Sequence, residues 1–88
     1  MDRSVIKKIL NREQLTQEEF NTFIVDYVKS EKNQDITAKQ LQEITVAVQH
    51  GVFDIMFAAK KAAEKENLQV VDIFNKNGQF VTTYVYEK

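Results

Sequence analysis

Eighty-eight residues make one small domain, 1–88, and leave no room for two. With no cysteine and a single histidine, the chain has no disulfides or thiolate chemistry, and no cofactor or metal site of the usual cysteine or histidine kind is expected. The net charge of −1 provides no overall field to attract nucleic acid or an anionic membrane.

The charge is nevertheless uneven. Arg3, Lys7, Lys8 and Arg12 face only Asp2 in residues 1–12. Residues 13–35 then carry Glu13, Glu18, Glu19, Asp26, Glu31 and Asp35 against Lys29 and Lys32. A basic first helix followed by an acidic second one predicts that the two pair. No apolar run is long enough to span a bilayer, and the N-terminus has no signal-peptide core. A cytoplasmic protein is expected. The absence of proline and tryptophan, with abundant Lys, Asn, Gln, Glu and Ile, matches the usage of a low-GC bacterium or its phage.

The first helix is predicted over about 2–12, with Asp2 as N-cap and Val5, Ile6, Ile9 and Leu10 as one apolar stripe. The second covers about 16–31. Thr16 and Glu19 have capping-box spacing, and Leu15 and Phe20 are placed as a hydrophobic staple around them. Phe20, Phe23, Ile24, Tyr27 and Val28 then recur at helical spacing. After the polar stretch 30–35 the same device returns, with Thr37 and Gln40 inside a staple of Ile36 and Leu41.

This third helix is predicted over about 37–66. Unbroken, it would be roughly 43 Å long, against about 30 Å for the width of a compact domain of this size. Either it breaks near His50 and Gly51 or it protrudes. A mid-helix glycine costs about 1 kcal/mol, which permits a break without requiring one. Leu41, Ile44, Val48, Val52, Ile55, Ala59, Ala62 and Ala63 fall on one face of a continuous wheel and are the expected core side. Val46, Phe53 and Phe57 fall opposite.

The period changes after Asn67. Residues 68–75 and 79–86 read as strands of a C-terminal β-hairpin turning at Asn77-Gly78. One hairpin face holds Val70, Phe74, Val81 and Val85. The other holds Val71, Ile73, Phe80, Tyr84 and Tyr86. The fold class is therefore α+β, three helical segments followed by a hairpin.

The chemistry in the sequence is thin. His50 and Asp54 stand four residues apart, as a base and its orienting acid would, but no nucleophile or second acid completes a site. Gly51 and Gly78 are too few for a phosphate-cradling loop. Lys60, Lys61 and Lys65 are interleaved with Glu64 and Glu66 and read as a mixed solvated face. The aromatic row Phe80, Tyr84 and Tyr86 could stack on bases, but its neighbours are Val81, Thr82, Thr83 and Val85 rather than Arg or Lys. The second and third helices are separated by six residues, too many for the tight turn of a helix-turn-helix. The third helix opens with only Lys39 as a basic residue.

Surplus apolar surface remains. The third helix and the hairpin each have two apolar sides, and a bare two-stranded hairpin is marginal in water. The expected function is a non-enzymatic protein–protein interaction domain that self-associates, as an adaptor, inhibitor or assembly factor. Its interface would comprise Val46, His50, Phe53, Phe57, Phe80, Tyr84 and Tyr86, and its partner a second copy or another protein. No small-molecule substrate is evident. The alternative is a small nucleic-acid-binding regulator that uses Arg3, Lys7, Lys8 and Lys39.

Overall fold

Asp2 starts the first helix by accepting from the Ser4 N–H at 2.9 Å and the Ser4 hydroxyl at 2.7 Å. In the computed structural model, which describes residues 1–88, α1 then runs Arg3–Leu10. Val5, Ile6, Ile9 and Leu10 are all buried, as their spacing predicts. α2 spans Gln17–Lys32 and α3 spans Ala38–Gln49. Both capping boxes form in full: Thr16 with Glu19, and Thr37 with Gln40.

The third predicted helix is two helices. α3 stops at His50 because Gly51 takes a left-handed φ of 72°. Gly51 N–H donates to the Val48 carbonyl at 3.1 Å and Val52 N–H to the Ala47 carbonyl at 2.8 Å. These are the two bonds of a Schellman cap with glycine at its left-handed position. Asp54 then caps α4, Ile55–Lys65, by accepting from Phe57 N–H at 3.1 Å. The break resets the helical phase, which corrects two expected positions. Val52, expected in the core, is 80% exposed. Phe53, expected opposite, packs against the core with its ring edge-on to Tyr27 at 6.2 Å.

One core holds the fold together. The α4 residues Ala58, Ala59, Ala62 and Ala63 repeat the spacing of the α1 stripe. Small side chains on α4 let the larger aliphatics of α1 seat closely on it, and Phe23 and Ile24 of α2 complete the cluster with Leu68. α3 contributes no buried residue. It reaches the core only through half-buried side chains such as Leu41 and Ile44. No helix is long and apolar enough to cross a membrane.

The hairpin consists of β1, Leu68–Phe74, and β2, Phe80–Glu87, paired antiparallel. Its loop is closed by Asn75 and Gly78. Gly78 N–H donates to the Asn75 carbonyl at 3.0 Å, and the Asn75 side chain accepts from the amides of Asn77 and Gln79. Only Gly78 adopts positive φ, at 80°; Asn77 does not. The main ladder sets Val70 opposite Val85 and Val71 opposite Tyr84, as the alternation predicts. A bulge at Val81 then shifts the register, so Phe80 stands opposite Phe74 rather than on the far face.

Candidate interaction surface

Strand alternation divides the hairpin into two faces. Leu68, Val70, Asp72, Thr83 and Val85 turn toward α1 and α4, and Leu68 and Thr83 are buried there. Gln69, Val71 and Ile73 of β1 share the other face with Thr82, Tyr84 and Tyr86 of β2. Nothing in the fold covers that outer face. Tyr84 is 60% exposed and Tyr86 52%, with Val71 half-buried beneath Tyr84 as its cross-strand partner.

The edges of the sheet differ. Asn11, just after α1, binds the backbone of Thr83 on the outer side of β2 at both donor and acceptor. β1 has no such closure. A groove of about 270 Å³ runs along its edge, lined by Leu68, Gln69, Val70 and Asp72 with Lys60 and Glu64 of α4 and the terminal Lys88.

The other expected interface residues are dispersed. Val46 on α3 and Phe57 on α4 are exposed, and Lys61 lies over the Phe57 ring at 5.6 Å. His50 is exposed at the α3 C-cap. The Asp54 carboxylate is engaged in capping α4. Phe53 and Phe80 are occupied within the chain: Phe53 by Tyr27, and Phe80 by the Arg12 guanidinium, 3.6 Å from its ring centre. Of the seven, Tyr84 and Tyr86 stand together on one continuous surface.

No model of a known protein family, no curated protein and no solved structure matches the chain.

The basic residues of the nucleic-acid alternative are partly spent on internal pairs. Lys8 binds Glu19 at 2.7 Å, the pairing expected between a basic α1 and an acidic α2. Arg3 bonds the Glu87 carboxylate and lies 4.0 Å from Glu66. Glu66 also holds the Met1 amino group at 3.0 Å. Lys60 is 3.8 Å from Asp72, and Lys65 binds Ser30 and Glu31. Lys7 and Lys39 stay exposed on different helices.

Unpaired N–H and C=O groups are expected on an outer strand of the hairpin from sequence, and the Asn11 clamp on β2 leaves β1 as the free edge. The signal for it is a hairpin with no third strand, which always leaves two backbone edges to account for.

Proposed function

We propose that this chain is a non-enzymatic, cytoplasmic protein–protein interaction domain that self-associates. The observation that carries this reading is the outer face of the hairpin, where exposed Tyr84 and Tyr86 stand together with half-buried Val71 and Ile73. Contiguous apolar surface of this kind marks interaction sites on otherwise monomeric folds.

The overall dimensions support the same conclusion. The chain exposes 6100 Å². A folded monomer of 10.3 kDa exposes about 5,400 Å² by the usual scaling. The excess of about 700 Å² goes with an elongated shape, 44 × 29 × 19 Å, that leaves apolar side chains outside the core. The radius of gyration, 13.6 Å, likewise exceeds the ~12 Å of a compact domain of this length.

Sedimentation equilibrium between about 1 and 100 μM tests the proposal, since that range brackets dissociation constants of weak and moderate dimers. The expected result is a mass that rises from one chain toward two. A single-chain mass across the whole range overturns it.

A further inference from the structure

The way the copies join can be read from the direction of one pair of backbone groups; the inference rests on the self-association just proposed. Thr83 N–H and C=O both engage the Asn11 side chain, so both point away from β1. Thr83 pairs with Asp72. In an antiparallel ladder, a pair whose polar groups turn outward on one strand turns them outward on the other as well. Asp72 N–H and C=O therefore leave β1 on its free side, and two residues away those of Val70 do the same.

This edge has few of the usual protections. Natural edges are blunted by proline, lysine, an inward-pointing charge, a bulge or a covering element. β1, Leu68–Phe74, contains no proline and no basic residue, and the bulge sits on β2 at Val81. Its one charge, Asp72, is held by the Thr83 hydroxyl at 2.8 Å and by Lys60 at 3.8 Å. The 270 Å³ groove borders Val70 and Asp72 on this side.

We propose that two copies join β1 to β1, antiparallel about a two-fold axis at Val71, into one four-stranded sheet. In that register Val70 faces the partner's Asp72, and both present outward donors and acceptors, so the backbone groups meet in matched pairs. Val71 meets its own copy on the outer face, between the Ile73 side chains of both chains, and the apolar strip continues into Tyr84.

The charges do not oppose the same rotation. Lys60 lies beside Asp72 at one end of the groove, and Glu64 lines the other end with Lys88. Antiparallel pairing sets the first end of one chain against the second end of its partner, so each side brings one acid and one base. An edge that is its own complement in backbone polarity and in its apolar centre is suited to a second copy, because two-fold contacts reuse one patch. Four strands is also a common sheet size, whereas two are marginal.

Amide hydrogen exchange by NMR on the full chain tests the seam, with protection followed from about 20 to 500 μM. The Val70 and Asp72 amides are expected to slow by about ten-fold or more as concentration rises. Val70→Pro removes the outward N–H without touching the β1–β2 ladder. It is expected to give a folded single chain by circular dichroism and sedimentation, whereas Val52→Glu, between α3 and α4, stays a dimer. A wild-type dimer whose Val70 and Asp72 amides remain unprotected overturns the seam and leaves self-association standing. A wild-type single chain at every concentration overturns both. Should Val70→Pro fail to fold, exchange in the wild-type chain decides the matter alone.

Discussion

Asn11 and Thr83, 72 residues apart, are joined by two hydrogen bonds that imitate a neighbouring strand. Thr83 N–H donates to Asn11 Oδ1 at 2.7 Å, and Asn11 Nδ2 donates to the Thr83 carbonyl at 3.1 Å. The Thr82 hydroxyl donates to the same Oδ1 at 2.9 Å. One side-chain amide at the end of α1 thus closes the middle of the β2 edge and ties the hairpin to the helical core.

Asn11→Ala leaves the Thr83 N–H and C=O without partners in a residue that is 1% exposed. Unsatisfied buried groups cost about 1–3 kcal/mol each, so a loss of about 2–3 kcal/mol is expected. Asn11→Asp keeps the acceptor and loses the donor, and falls between Asn11→Ala and wild type. Urea unfolding checks both, with the midpoint falling and the slope unchanged. A loss below about 0.5 kcal/mol would mean that water replaces the clamp.

The Thr83 hydroxyl supports the same junction from inside. It lies 2.8 Å from Asp72 Oδ1 and 3.2 Å from the Leu10 carbonyl, with one proton to give to either. Thr83→Val keeps the shape and removes the donor, so Asp72 loses a partner on the covered face of the sheet. The expected cost is about 1–2 kcal/mol. Asp72→Ala made in the Thr83→Val background should cost less than in wild type. A double-mutant cycle on unfolding free energies measures that coupling, and simple additivity would contradict the bond.

What could be read from the sequence divides along a physical line. Features set by neighbours within four residues were legible. Asp2, Thr16 with Glu19, and Thr37 with Gln40 cap their helices because the cap geometry is local. The faces carrying Val71, Tyr84 and Tyr86 were legible too, because the odd loop 75–79 and the extra residue of the Val81 bulge together preserve the alternation. Phe53 and Phe80 show where local reading stops. The placement of Phe53 depends on whether Gly51 breaks the helix, and a cost near 1 kcal/mol is easily outweighed either way by packing elsewhere. The placement of Phe80 depends on a bulge at Val81 next to the loop, which the alternation of the strands does not record. The Asn11 clamp had no sequence signal, since an asparagine after a helix is common whatever its side chain does next.

Gly51 and Arg12 allow the same backbone conformation to be tested with opposite signs. Both follow a helix C-cap in the left-handed region, at φ 72° and 61°. Arg12 N–H donates to the Ile9 carbonyl and Glu13 N–H to the Lys8 carbonyl, so α1 ends in the cap that ends α3. At Gly51 an added Cβ would meet nothing within 4 Å, so Gly51→Ala isolates the backbone penalty, about 1 kcal/mol of destabilisation. Arg12→Gly relieves the same penalty but removes the guanidinium over Phe80, worth about 0.5–1 kcal/mol at a partly exposed site. The two terms offset, and Arg12→Gly is expected to be near neutral. Arg12→Ala loses the stack without relief and is the less stable of the two. Thermal melts of the three variants check the order.

The Lys8–Glu19 pair predicts a pH window. The hydrogen bond from Lys8 holds the Glu19 carboxyl below its ordinary 4.5, helped by the Thr16 backbone. The Glu19 side chain in turn holds the Lys8 ammonium above its ordinary 10.5. A carboxyl whose pKa is lowered by folding stabilises the fold above its ordinary value. That contribution is lost as pH falls through the lowered value. A raised lysine stabilises below its ordinary value and loses this as pH rises through the raised one. The pair therefore contributes fully between about pH 5 and 10 and fades on both sides. Glu19→Gln keeps an acceptor for the Thr16 N–H and so retains the capping box, but it removes the ion pair. Wild type should exceed this variant by a constant margin inside the window, and the two should converge as pH falls through the lowered Glu19 value. Urea midpoints measured across pH read the margin directly, and a margin that persists into acid would assign it to the cap rather than to the pair.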